Sequence, residues 1–161
     1  MKPTTTGVLA GVTILCTCLA VWFSVARSPG PENRALVDVP GTNAVTDQVG
    51  RILRTVFSYD PAQIDRTSVA AQDVLTGAAI DQYNTQFEAA KKHATDTRQV
   101  LTTAVRSVGV VELRGDSARL LVFVDRQIIQ GDKHESGAAQ LLVSAAKSGD
   151  TWKITDIKFL S

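Results

Sequence analysis

Residues 118–129 read ARLLVFVDRQII, and the fold class turns on this stretch. Ala118, Leu120, Val122 and Val124 recur at every second position, the period of a β-strand with one face in a core. The alternation is incomplete, because Leu121 and Phe123 put apolar side chains on the opposite face. A sheet containing this strand is therefore expected to be partly covered on both faces. Helices would cover one, and a partner, a ligand or another copy of the chain the other.

Working outward, Arg114-Gly115-Asp116-Ser117 supplies a turn, and its Gly-Asp pair is hairpin chemistry, not an adhesion signal. Before it, β-branched residues dominate from Gln99 to Leu113 and predict one long strand, kinked near Ser107 or Gly109. After it, Gln130 to Gly137 reads as a polar loop and Ala138 to Lys147 as a third strand. Ser148-Gly149-Asp150 is a tight turn into a last strand from Trp152 to Leu160. Four consecutive strands joined by turns make an antiparallel meander.

The preceding residues carry the helical period. Val45, Val49, Ile52, Val56 and Tyr59 fall at steps of three and four, with Leu53 and Phe57 widening the stripe. Thr42 or Asn43 is the expected cap, and Pro61 the expected stop. A short helix follows from Asp65 to Leu75. Thr76-Gly77 breaks it, and Ile80, Tyr83, Asn84, Phe87, Ala90 and Ala94 line a third. Helices first and strands afterwards give an α+β domain, with three helices packed on a curved four-stranded antiparallel sheet.

The run GVLAGVTILCTCLAVWFSVA, residues 7–26, has no charged residue. At ~1.5 Å of rise per residue it would span one hydrocarbon core of about 30 Å. It is expected to be a transmembrane anchor, with Trp22 near the headgroups. The competing reading is a cleaved secretory signal, from Lys2 and the small-residue site Ser24-Val25-Ala26. The run exceeds the ~7–15 residues of a signal's apolar region, which favours the anchor. The expected layout is a short cytoplasmic tail (1–6), the anchor (7–26), a Pro/Gly-rich linker (27–41) and an extracytoplasmic domain (42–161).

Composition narrows the chemistry. Seventeen basic and sixteen acidic residues give a net charge of +1 over 161 residues, so nothing draws the domain to nucleic acid. Both cysteines, Cys16 and Cys18, lie in the apolar run, which leaves the domain without disulfide, metal-thiolate or thiol chemistry. His93 follows Lys91-Lys92 at a helix end, where cations suit the dipole. Asp132, His134 and Glu135 are crowded into one short loop and make a poor metal site. Asp73, Asp125 and Asp156 remain as carboxylates that a catalytic role would need. No cofactor or metal is expected. The candidate pocket or interface residues are Tyr59 and Asp60 at a helix end, and the aromatics Tyr83, Phe87, Phe123 and Trp152. The competing role for each is structural, as turn or core.

Several pieces in order carry a resemblance. They are the N-terminal apolar run, a helix ending in Ser58-Tyr59-Asp60, and Leu75-Thr76-Gly77 opening a helix with Tyr83 and Phe87. The Leu120-Leu121-Val122-Phe123-Val124-Asp125 strand and the Gly149-Asp150-Thr151-Trp152-Lys153-Ile154 hairpin complete the set. Together they resemble the Mce-associated membrane proteins of mycobacteria and related actinobacteria, over about residues 45–160. The resemblance implies an NTF2-like (cystatin-like) cone outside the cytoplasmic membrane. It also implies a non-catalytic accessory role in an Mce-type lipid-import complex, with MCE-domain proteins and a permease as partners. The alternatives are a VirB8-like bitopic scaffold subunit of a secretion system, an exported small-molecule enzyme, and a lipid carrier using the cone's cavity. A homo-oligomer through the sheet is a further expectation.

Overall fold

The computed structural model describes residues 32–160. The expected tail, anchor and both cysteines lie outside the described residues, as does the first part of the linker. Among the described residues no helix is long and apolar enough to cross a membrane.

Helix α1, Val39–Val56, is followed by a 3-10 turn, Pro61–Gln63, and by helices α2, Ile64–Val74, and α3, Ala78–Thr97. The strands are β1, Val100–Arg114; β2, Ser117–Gln130; β3, Lys133–Ser148; and β4, Thr151–Leu160. They form one antiparallel sheet in the order β1-β2-β3-β4, the expected meander.

Helix α1 starts earlier than its sequence suggests. Asp38 caps it by accepting from the Gly41 N–H at 3.0 Å, and Pro40 sits in the first turn, where its missing N–H costs nothing. Residues 33–41 are thus part of the domain and not linker. Asn33 accepts from the Leu113 N–H and donates to the Val111 carbonyl, both at 2.9 Å, while Ala35 is buried. The helix ends at Val56, ahead of Tyr59. Pro61 opens the 3-10 turn instead of stopping α1. On α3, Ala79, Tyr83, Phe87 and Ala94 are buried, whereas Asn84 faces solvent.

The largest departure is the expected loop at 130–137. Only Gly131-Asp132 turns the chain, and Lys133 to Gly137 continue β3 against Arg126 to Gln130. Gly131 has φ +58°, the backbone that favours glycine at the first central position of a two-residue hairpin. The residues beyond it are polar because both faces of this projecting arm are exposed. The kink in β1 is a pair of bulges, at Arg106 and Val111, on either side of Ser107 and Gly109.

The core lies between the helices and one face of the sheet. Leu120, Val122 and Val124 of β2 join Leu141, Val143 and Ala145 of β3, and Trp152, Ile154 and Ile157 of β4. Val45, Val49, Leu53 and Val56 of α1 are almost fully buried against them. Each such side chain contributes ~1.5–3 kcal/mol, so the α1 stripe alone is a large share of what holds helix to sheet.

Both borders of the sheet are engaged. Along β4, the Trp152 N–H donates to the Gln48 side chain at 2.9 Å and the Ile157 N–H to that of Gln82 at 3.2 Å. The Thr76 N–H donates to the Ile154 carbonyl between them, at 2.9 Å. Along β1, Tyr59 and Leu101 exchange two backbone hydrogen bonds, at 2.9 and 3.0 Å.

Candidate functional site

On the helix-covered face of the sheet, a partly open cavity of about 250 Å³ lies between the end of α1, the middle of α3 and the strands. Its wall is mostly apolar. Phe57 and Phe159 meet edge to face with ring centroids 6.2 Å apart, and Phe159 remains half exposed. Tyr83 and Phe87, one turn apart on α3, stack at 4.8 Å. Leu101, Val124, Ile128 and Leu141 supply the sheet side.

Two residues of the lining stand out. Tyr83 is 7% exposed, and its hydroxyl has no hydrogen-bond partner among the described residues. Burial pushes its phenol well above the usual tyrosine range. Arg126 is the one charged residue of the lining. It continues the inward phase of Val122 and Val124 and is itself exposed. It faces Gly137 on β3, where even a Cβ would come within 3.8 Å of its guanidinium.

The sequence-derived candidates divide. Tyr59, Tyr83 and Phe87 line the cavity together. The Tyr59 hydroxyl accepts from the Gln99 side chain at 3.3 Å. Burial raises its pKa, and the positive charge of Arg126 works against that rise. Asp60 does not reach the cavity: its carboxylate accepts from the Ala62 N–H at 2.9 Å and caps the 3-10 turn. Trp152 is 3% exposed in the core and absent from the cavity wall. Phe123 points to the outer face, because it pairs with Gln140 in the phase opposite Val122 and Val124. Phe57, Leu101, Arg126, Ile128 and Phe159 are lining residues that the sequence reading missed. Arg126 had a visible signal, a cation in the apolar phase of a strand.

None of the three candidate carboxylates lines the cavity. Asp125 pairs with Arg106 at 2.7 Å on the outer face. Asp156 accepts from Gln82 at 3.0 Å, and Asp73 is exposed on α2. The cavity wall holds no carboxylate, histidine or lysine. Among the described residues no three His, Cys, Asp or Glu side chains gather into a metal site. His134 and Glu135 are consecutive on β3 and point to opposite faces.

The outer face of the sheet carries an apolar strip. Leu121 lies directly across from Leu142, Phe123 lies one pair further along, and Leu160 borders them opposite Gln140. Leu121, Phe123 and Leu142 are half-buried by their neighbours on the sheet, and Leu160 is 41% exposed.

No protein-family model matches this chain. In sequence it is similar to uncharacterized proteins from two strains of Mycobacterium tuberculosis, 31% identical over 103 residues. The match covers 62% of this chain and 47% of theirs, so the chain spans about half the length of the curated relatives it matches. Among solved structures it is similar to CagV, a VirB8 homolog of the type IV secretion system of Helicobacter pylori. That match has TM-score 0.63 and 11% identity, covering 74% of this chain and 98% of CagV. The periplasmic domain of DotI matches with TM-score 0.63 and 12% identity, over 73% of this chain and 94% of DotI. VirB8 of Agrobacterium tumefaciens matches with TM-score 0.58 and 10% identity, over 76% and 93%. At these identities the likeness is one of fold: three helices on a four-stranded antiparallel sheet.

Proposed function

We propose that this chain is a membrane-anchored, non-catalytic scaffold subunit of an envelope transport assembly, docking protein partners on the outer face of its sheet. The observation that carries the reading is the strip of Leu121, Leu142 and Phe123, on the face opposite the helices. Apolar side chains in that position suit a protein interface. The fold supports the same reading, since the structures it resembles include a VirB8 homolog of a secretion system and a periplasmic domain. In this reading residues 7–26 hold the domain on the extracytoplasmic side with the N-terminus in the cytoplasm. A second copy is one of the partners the strip would accept.

A second reading differs in the assembly served. The ordered motifs resemble Mce-associated proteins, and the sequence relatives come from Mycobacterium tuberculosis, which favours an Mce-type lipid-import complex. One experiment separates the two. A photoreactive amino acid is placed at Phe123 or Leu142 of the full chain in cells, and crosslinked proteins are identified by mass spectrometry. Secretion-channel subunits are expected under the VirB8-like reading, and MCE-domain proteins with a permease under the second. Crosslinks no richer than those from a control site at the exposed Lys92 would overturn the scaffold proposal.

A further inference from the structure

The cavity beneath the helices is not needed by a scaffold that works through its outer face, yet it has the attributes of a ligand site. We propose that it binds a small amphipathic monoanion, an apolar body carrying one carboxylate, of which a medium-chain carboxylate is the simplest case. Two observations carry this.

The size and wall set the body of the ligand. An apolar cavity of about 150 Å³ accommodates benzene, so the 250 Å³ here suits about ten non-hydrogen atoms by the same scaling. Phe57, Phe159, Leu101 and Ile128 offer that body aliphatic and aromatic contacts.

Charge sets the sign. Arg126 is the single charged residue in the lining and belongs to no ion pair among the described residues. With no carboxylate on the wall to balance it, an anion is favoured and an amine opposed. The guanidinium fork suits a carboxylate in two-point contact.

The test uses the full chain in native membranes and a diazirine-bearing octanoate as the photolabel, with crosslinked peptides mapped by mass spectrometry. Label is expected in the peptides containing residues 56–59 and 82–90, competed by octanoate and not by octylamine. Arg126→Gln should weaken octanoate competition about tenfold or more, as expected for a hydrogen bond to a charged group. Label only in peptides that hold none of the lining residues, equal competition by octylamine, or wild-type competition in Arg126→Gln would each overturn the proposal. Partner crosslinking from Phe123 is scored separately, so the failure of this site and of the scaffold reading are distinguishable.

Discussion

The side-chain oxygen of Gln82 accepts a hydrogen bond from the backbone N–H of Ile157 at 3.2 Å, while its amide donates to Asp156 at 3.0 Å. One α3 side chain therefore occupies a main-chain donor on the border strand and a carboxylate beside it. Gln48 of α1 does the equivalent work at Trp152. Replacing Gln82 by Ala leaves the Ile157 N–H without this partner, at a cost of ~1–2 kcal/mol. Urea unfolding of Gln82→Ala against wild type should show that loss as a lower midpoint with an unchanged slope.

Tyr83→Phe should have the opposite sign. The variant removes a buried hydroxyl that lacks a partner, and such a group costs ~1–3 kcal/mol. Without added ligand, its melting temperature should rise by a few degrees, as expected for about 1 kcal/mol in a domain of this size. A fall in melting temperature would mean that the hydroxyl is satisfied in the folded protein.

Alkaline stability follows from the same group. Burial raises the folded-state pKa of Tyr83 above its ordinary value of 10.0, and Tyr59 is raised in the same direction. Above pH 10 the unfolded chain loses these protons while the folded one keeps them, so the unfolded state binds fewer protons and stability falls as pH rises. The contribution is intact below pH 10 and is lost from there up through the folded-state pKa values. Unfolding free energies across pH 9–11.5 should decline less steeply in Tyr83→Phe than in wild type.

Leu121→Lys and Leu142→Lys test the outer strip without touching the core. Both side chains are half-buried on the face away from the helices, so each change should shift stability by ~1 kcal/mol or less. The yield of crosslinked partner should nevertheless drop several-fold. Retained partners in both variants would move the interface elsewhere.

Gly77 should resist substitution. It precedes α3 with φ 57° and ψ −139°, and a Cβ there would lie 3.3 Å from the Thr155 carbonyl. Strain of this kind costs ~1–3 kcal/mol. Gly77→Ala should lower the unfolding free energy by that amount, measured by thermal or urea denaturation.

The meander was readable because its signals are local. β-branched runs mark β1 and β2, and Gly115-Asp116 and Gly149-Asp150 mark two of the turns. The β2–β3 turn was hidden because an arm exposed on both faces has the composition of a loop, so Lys133 to Ser136 gave no apolar alternation. Pro40-Gly41 resembled linker, yet proline is tolerated in a first helical turn, and the Asp38 cap was masked by that resemblance. The pairing of Asn33 with Leu113 spans 80 residues and leaves no local trace. In the cavity, the Tyr83–Phe87 pair was legible from helical spacing. The outward direction of Phe123 was legible as well, from its phase opposite Val122 and Val124, which removes it from the cavity and leaves it to the interface.

The order of elements along the chain has a consequence for synthesis. Gln48 and Trp152 are separated by 104 residues, and β4, the strand both glutamines hold, is made after every other described element. The meander's own pairings are short-range and close quickly once their residues are available. The three helices, by contrast, leave the ribosome well before any strand, with their apolar stripes bare. Closure of the described domain thus waits on the ten residues of β4, and a chain interrupted before Trp152 exposes its stickiest surfaces to whatever guards nascent proteins.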